Sequence, residues 1–352
     1  YDAVVICDHT SGYYGKYKLL PTLVQLQSDI TSPFPPLDLM VHIGEISAAS
    51  FNDTIPAKEV WRVSEDGELR DPFKKLTTVF QMSEEMFFLH YGKDGCNRHV
   101  LIDECRELFG EIYEQIPELP FCNIWTAMQL SSRLPKGALF HMGVSNTRRC
   151  WNMFQLPESV ESACNVGCCG IDGCVSTLVG ASLVNPDRLC YVVVGDLTFF
   201  YDLNSLGNHH IGTNLRVMLV NNGRGTEFRL GIHHCNVFGD DADKYMAAAG
   251  HFGNKSPLLV KHYAEDLGFH YLSATTKEEF MTALSNFTNP QLSDHSMILE
   301  VFTDSKDESE ALYLMSHIQS DAKGMVRSKL KDAVRNVAGE KGINAIKKIL
   351  KK

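Results

Sequence analysis

The sequence predicts an α/β protein: two doubly wound, mainly parallel sheets followed by a C-terminal helical tail. Three observations predict it. Apolar β-type runs recur along the chain and are continuous rather than alternating, as in LCYVVV (Leu189–Val194) and LRVMLV (Leu215–Val220). Continuity of that kind marks strands covered on both faces. Helical stretches separate the runs, and the alternation is that of parallel βαβ units. At 352 residues the chain exceeds one ordinary core, so two domains are expected.

In the first region the strand candidates are Ala3–Cys7, Leu39–Glu45, Glu59–Val63 and Thr78–Met82. Ser64–Pro72 is a turn-rich connection, and Asp103–Gln115 has helical periodicity. Ile116–Phe121 carries two prolines and marks a boundary. The second region reads as a helix at Asn123–Arg133, a strand at Ala138–Gly143, a Gly- and Cys-rich loop and a helix at Gly173–Leu183. The strand at Leu189–Val194, a helix near Asp202–His210 and the strand at Leu215–Val220 follow. His262–Gly268, a helix at Lys277–Asn286 and a last strand at Met297–Phe302 complete it. The expected division is 1–118, 119–305 and a tail at 306–352. Apolar residues at helical spacing and a lysine-rich face make Lys329–Lys352 a helix that docks on its own protein, on a partner or on an acidic surface.

Composition excludes some classes. With 44% hydrophobic and 22% charged residues the chain is that of a soluble globular protein. A net charge of −10 argues against nucleic acid or anionic lipid as the main partner. No apolar run approaches the roughly 20 residues of a membrane span, and no signal peptide is visible. Eleven scattered cysteines read as reduced thiols in a cytoplasm. The first residue is Tyr and a strand begins at once, so the sequence reads as cut from something longer.

Two strand ends carry the candidate chemistry. GDLTFFYDLNSL (Gly195–Leu206) follows one buried run, and VNNGRG (Val220–Gly225) follows the next. In an open α/β sheet, ligands bind beyond the carboxyl ends of the strands. Asp196 offers a carboxylate oxygen, Asn222 an amide oxygen and the backbone near Arg224 a carbonyl; such hard oxygens suit Mg²⁺. Backbone N–H groups at Leu197 and Thr198 stand where a phosphate would meet them. Either pair alone is also an ordinary turn; it is their joint placement that points to a metal and a phosphate.

These residues carry a resemblance. The Gly-Asp and Asn-Asn pairs resemble the diphosphate-and-metal motif of thiamine-diphosphate enzymes. The fuller form GDLTFFYDLNSL is similar to that of 2-succinyl-5-enolpyruvyl-6-hydroxy-3-cyclohexene-1-carboxylate synthases, the decarboxylating ligases of menaquinone biosynthesis. GIDGCVST (Gly170–Thr177), EDGELRDP (Glu65–Pro72) and HMGVSNTRR (His141–Arg149) resemble further motifs of those synthases, in the same order. The resemblance implies a middle domain and a diphosphate-binding domain. It implies thiamine diphosphate and Mg²⁺ as cofactors, with Asp196, Asn222 and Arg224 holding the metal. Gly143, Ser145, Gly170, Gly195, Leu197 and Thr198 would line the cofactor, and Ile171 would support its bent shape. Ser145, Arg149 and Phe228 match positions that face the substrate. A 2-oxoacid donor, a small-molecule acceptor and a homodimer or homotetramer formed through the cofactor site are implied as partners. The activating glutamate belongs to a pyrimidine-binding domain that no stretch of this chain resembles, so the chain alone is expected to be inactive.

The departures concern charge. Where these synthases have a substrate-binding arginine, this chain has Val166. Glu45–Ser50 lacks the basic residue expected there, and Glu227 stands at an apolar position. The acceptor is therefore expected to be less anionic than isochorismate. The alternative to an enzyme is a non-catalytic α/β module that keeps the fold. Of the remaining signals, the cysteines of Cys164–Cys174 lack paired metal-ligand spacing. His209-His210 is expected in a helix and structural. His233-His234 is a candidate for proton transfer, and Asp202 fits a helix start.

Overall fold

The computed structural model describes residues 2–30, 34–44, 55–92, 99–167, 169–230, 233–245, 250–326 and 329. The Arg- and Lys-free stretch Glu45–Ser50 lies outside them, as does Lys329–Lys352 apart from Lys329. In chain order the strands are β1 (Val5–Ile6), β2 (Lys18–Leu19), β3 (Leu37–His42), β4 (Ala57–Ser64), β5 (Leu76–Gln81), β6 (Leu139–Met142), β7 (Glu161–Cys164), β8 (Cys190–Gly195), β9 (Leu215–Asn221), β10 (His270–Ala274) and β11 (Met297–Phe302). The helices are α1 (Thr22–Leu26), α2 (Glu84–Tyr91), α3 (Val100–Glu114), α4 (Asn123–Leu130), α5 (Asn146–Trp151), α6 (Cys174–Val184), α7 (Asp196–Tyr201), α8 (Ala242–Tyr245), α9 (Leu259–Asp266), α10 (Lys277–Phe287) and α11 (Ser305–Ser316). Among the described residues, no helix is long and apolar enough to cross a membrane.

The chain forms two compact units, Tyr1–Val4 with Leu23–Pro117 and Leu314–Lys352, and Val5–Thr22 with Glu118–Tyr313. The first unit holds a parallel sheet in the order β3-β4-β5. α2 starts at Ser83, whose side chain accepts from the Met86 N–H and so satisfies one of the open donors of the first turn. The second unit holds a six-stranded sheet in the order β10-β11-β9-β8-β6-β7, and every neighbouring pair is parallel. The protein is α/β with parallel sheets, as its apolar runs predict.

The order of the large sheet decides where a site can form. From β6 the chain steps outward to β7, then returns past β6 to β8 and β9 on the other side. The reversal lies between β6 and β8, so the loops that leave those strands diverge and open a crevice at their carboxyl ends. β8 and β9 form the floor. All seven residues of β9 are buried, and those of β8 are buried up to Gly195. Val192, Val194, Val217 and Leu219 pack against Val175, Leu178 and Val179 of α6 and Val260 and Ala264 of α9. Each fully buried Val or Leu contributes about 1.5–3 kcal/mol, which makes these strands a rigid base for the loops they carry.

Several elements differ from expectation. The helix near Asp202–His210 is a 3₁₀ turn at Leu203–Gly207, and the adjoining His209-His210 pair is exposed in a turn rather than helical. Gly207 ends the turn and Asn208 follows it, and both disfavour a helical continuation. The strand at Ala3–Cys7 is reduced to β1, which pairs only with β2. The segment from Val5 packs in the second unit: the His9 N–H donates to Asn152 Oδ1 at 2.9 Å, and the Ser162 N–H to the Tyr14 hydroxyl at 2.9 Å. β7 and β10 escape a reading of hydrophobicity because they are the edges of the sheet, and their residues are mostly half-buried or exposed.

One buried acid joins three elements of the second unit. Glu308 on α11 is 1% exposed. Its Oε1 accepts from the N–H of Asn123, the first residue of α4, at 2.8 Å, and from the Thr303 hydroxyl at 3.1 Å. Burial pushes its pKa up to about 7, against the lowering effect of those bonds and one from Asn146. An unfolded glutamate titrates near ~4.3. Between the two values the folded chain holds a proton that the unfolded chain releases. The Glu308 contribution to stability is therefore highest below the lower value, falls as the pH rises, and levels out above about 7. The loss is on the order of 3 kcal/mol. Chemical denaturation at a series of pH values should show the native chain losing stability relative to Glu308→Gln across this range, over a common background to which the buried His9 and His141, their pKa lowered by burial to about 4, contribute in the opposite sense. An equal slope in both would remove Glu308 as its source.

Candidate functional site

Four loops meet where the switch point is expected to open a crevice. The β6 exit carries Gly143 and Ser145, the β8 exit carries Asp196 and α7, and the β9 exit carries Asn222–Arg224. The loop between β7 and α6 carries Gly170 and Ile171. Gly143 is held close against β8, its N–H donating to the Val193 carbonyl at 2.7 Å. A Cβ at Gly143 would come within 3.3 Å of the Val193 carbonyl and Val194 Cα, so the strands approach as far as a glycine allows. Ser145 follows at φ 68° and ψ −127°, a backbone conformation that a residue with a side chain rarely adopts. Strain of this sort concentrates where a structure holds functional groups in place.

Asp196 is the centre of the arrangement. It opens α7 and is 2% exposed. Oδ1 accepts the N–H of Leu197 at 2.8 Å. Oδ2 accepts the N–H groups of Asn222 at 3.1 Å, Gly223 at 2.5 Å and Arg224 at 3.1 Å. One carboxylate at the tip of β8 thus gathers three successive amides beyond β9. Gly223 makes the wrap possible, because it sits at φ 78°, where a side chain would strain the backbone. Asn222 Oδ1 lies 3.4 Å from the Arg224 N–H, so the Asp196 carboxylate and the Asn222 amide oxygen converge on the same nitrogen. His251 brings Nε2 within 3.1 Å of Asp196 Oδ2, without hydrogen-bond geometry, and its ring lies 5.5 Å from that of Phe200.

A second acid supports this loop from behind. Glu300 on β11 is buried and accepts from Asn221 Nδ2 and from the Tyr271 hydroxyl, both at 2.7 Å. Burial raises its pKa, and the two hydrogen bonds work the other way. Asn221, the last residue of β9, is thereby pinned just before the loop turns. The cofactor-loop candidates are also tied down. Asn165 Nδ2 donates to the Gly173 carbonyl and to Thr177 Oγ1, each at 3.1 Å. Asp202 accepts the Ser176 N–H at 2.6 Å, so it serves the first turn of α6 rather than the start of its own short helix. Thr198 is buried, Leu197 and Ile171 are half-buried, and Gly170 and Gly195 lie in the same loops. Val166 is half-buried in the loop after β7.

The side chains expected to face a substrate form a cluster of their own. Arg149 on α5 meets Glu227 in a two-pronged ion pair, Nη1 to Oε2 at 2.9 Å and Nη2 to Oε1 at 2.6 Å. Burial disfavours the charge on both, but the pairing outweighs it: the Arg149 pKa is raised and the Glu227 pKa lowered. The Ser145 side chain adds a hydrogen bond to Glu227. Phe228 packs edge-on against the His233 ring at 5.2 Å. Of the His233-His234 pair, the side chain of His234 lies outside the described residues. Reasoning from sequence missed His251 and the partnership of Arg149 with Glu227. The only signal for the second was an acid at a position expected to be apolar.

Among the described residues, no three His, Cys, Asp or Glu side chains gather as a metal cluster. Asp196, Asn222 and the Arg224 carbonyl are a set of another kind, with one acid only. A cavity lined by Lys136, Gly137, Glu161 and Arg188 opens before β6 and β8 begin, at the other end of the sheet from these residues.

No family model matches the chain. It is 33% identical over 263 residues to a 2-succinyl-5-enolpyruvyl-6-hydroxy-3-cyclohexene-1-carboxylate synthase of Bacteroides fragilis, across 73% of this chain and 45% of that protein. The synthase of Phocaeicola vulgatus is 32% identical over 265 residues, 73% of this chain and 44% of the relative. The chain is homologous to these synthases. That of Christiangramia forsetii matches over 199 residues at 33% identity, 56% of this chain and 33% of the relative. The chain spans less than half the length of these curated synthases.

The Asp196 bonds alter one expectation. Read only as a metal ligand, Asp196 could be replaced by Ala with little effect on folding. In the structure the substitution also strips the N–H groups of Leu197, Asn222 and Gly223 of their acceptor and leaves that of Arg224 with Asn222 Oδ1 at 3.4 Å. Buried donors left unmet cost about 1–3 kcal/mol each where water cannot reach them. Asp196→Ala should therefore lower the unfolding free energy by about 3 kcal/mol, read from urea denaturation. A change below about 0.5 kcal/mol, typical of a surface substitution, would show that the clasp carries no load.

Proposed function

We propose that this chain is the middle and diphosphate-binding part of a thiamine-diphosphate- and Mg²⁺-dependent 2-oxoacid decarboxylase or carboligase. The reading includes an acceptor less anionic than isochorismate and assembly as a homodimer or homotetramer. The observation that supports it most is the convergence of the Asp196 carboxylate and the Asn222 amide oxygen beyond the carboxyl ends of β8 and β9, next to the switch point of a parallel sheet. Homology to the synthases, at 32–33% identity over 73% of this chain, is the second support.

The donor set fits the metal. Mg²⁺ takes hard oxygen ligands and draws on one or two carboxylates, with carbonyls, water and phosphate completing the shell. Asp196, Asn222 and the Arg224 carbonyl are of that type, and the buried Asp196 charge favours a cation. The N–H groups of Thr198 and of Leu197, the latter by giving up or sharing its bond to Asp196 Oδ1, open α7 and would meet diphosphate oxygens. Thiamine diphosphate supplies the electron sink for loss of carbon dioxide from a 2-oxoacid. The protein's part is to bind, orient and exclude water. Ile171, half-buried in its loop, would support the cofactor from below. Gly143, Gly170 and Gly195 would let backbone approach it, and Ser145 and Phe228 would face the substrate side.

A second reading rests on a specific observation. Asp196 already has four N–H partners, as a purely structural clasp would. On that reading the chain is an α/β module without chemistry. Calorimetric titration with thiamine diphosphate, with and without Mg²⁺, separates the two. An enzyme part binds the cofactor only with Mg²⁺, and Asp196→Asn weakens that binding on the order of tenfold or more. The enzyme reading fails if affinity is the same with and without the metal, or unchanged by the substitution.

A further inference from the structure

The Arg149–Glu227 pair has consequences for what can bind beside it. The Nη1/Nη2 face of a guanidinium holds one carboxylate in parallel at a time, and here that carboxylate is the protein's own. The two residues come from different elements, α5 and the 3₁₀ segment Thr226–Arg229 that follows the Asn222–Arg224 loop. Their side chains are 24% and 19% exposed, so the pair is partly desolvated and reaches solvent along one edge. Ser145 bonds the carboxylate, and Asn146 Oδ1 lies 3.5 Å from Arg149 Nη1.

We propose that Glu227 sets the specificity of this corner of the site by occupying the guanidinium of Arg149, so that the group taken there is uncharged and polar, a hydroxyl or an amide. This rests on the reading of the crevice as a substrate site and narrows its substrate class. An incoming carboxylate must displace Glu227 from the Nη1/Nη2 face or crowd in beside it, and either way a partly buried acid meets a second one. A neutral group pays no such penalty. The closed pair has no net charge, and its solvent edge presents guanidinium N–H next to carboxylate lone pairs. A hydroxyl or amide can accept from one and donate to the other.

Succinate is a suitable probe, titrated by calorimetry into the chain without thiamine diphosphate or Mg²⁺. The unmutated chain should bind it weakly. Glu227→Gln, which keeps the side chain's size and removes its charge, should bind it on the order of ten- to a hundredfold more tightly. Glu227→Leu should show the same gain, which guards against one variant folding poorly. Adding Arg149→Gln to either should abolish it. Equal affinity in the native chain and both variants would overturn the proposal, as would no binding to any of them. A gain that survives Arg149→Gln would overturn it too, since the anion would then lie elsewhere. Because the titration omits cofactor and metal, its failure is distinguishable from failure of the thiamine-diphosphate reading.

Discussion

Everything in the crevice is referred to one carboxylate. Parallel strands end in loops whose backbone donors have no partner in the sheet, and each such donor costs free energy unless something accepts from it. Asp196 answers for three of them at once, the amides of Asn222, Gly223 and Arg224, and for the Leu197 N–H beside it. It thereby fixes the exit of β9 relative to the exit of β8. Without that tie, Asn222 and the Arg224 carbonyl would have no defined place. The neighbouring acids extend the same logic. Glu300 holds Asn221 at the last residue of the strand, and Glu227, a few residues on, reaches back to Arg149. Three carboxylates thus secure a short run of chain from Asn221 to Glu227, each by a different partner.

The clasp also frames the chemistry. The N–H groups on Asp196 meet its charge from within the protein and hold the loop in one conformation. Preorganisation of that kind lowers the cost of binding, because the loop is already ordered. It also sets up a competition, since a metal must share or replace those bonds at Oδ2. Glu227 works in the opposite sense at Arg149. It satisfies a cation with an internal anion and leaves the corner neutral, in keeping with the absence of an arginine at Val166.

The sheet was legible because its central strands are buried on both faces and their sequences are unbroken apolar runs. Leu189–Val194 and Leu215–Val220 differ from β8 and β9 by a residue or so, and Met297–Phe302 coincides with β11. Edge strands leave no such trace. Glu161–Cys164 and His270–Ala274 are short, partly polar and half-exposed, and their strand character comes from the neighbour they pair with. The Asp196 and Asn222 positions could be picked out from their place at strand tips. What they touch could not. That a carboxylate at one tip collects amides from the next depends on the register of β8 against β9, where Gly195 stands opposite Val220. The pairing of Arg149 with Glu227 and the approach of His251 to Asp196 join residues far apart in sequence, and neither spacing nor composition encodes them.

The central claim is that Asp196 orders the Asn222–Arg224 loop by accepting its backbone N–H groups. Amide hydrogen exchange on the unmutated chain, without cofactor or metal, reads those three groups individually. The account predicts that the amides of Asn222, Gly223 and Arg224 exchange far more slowly than exposed loop amides, although they lie outside the sheet. Exchange of all three at the rate of an unprotected loop would contradict it.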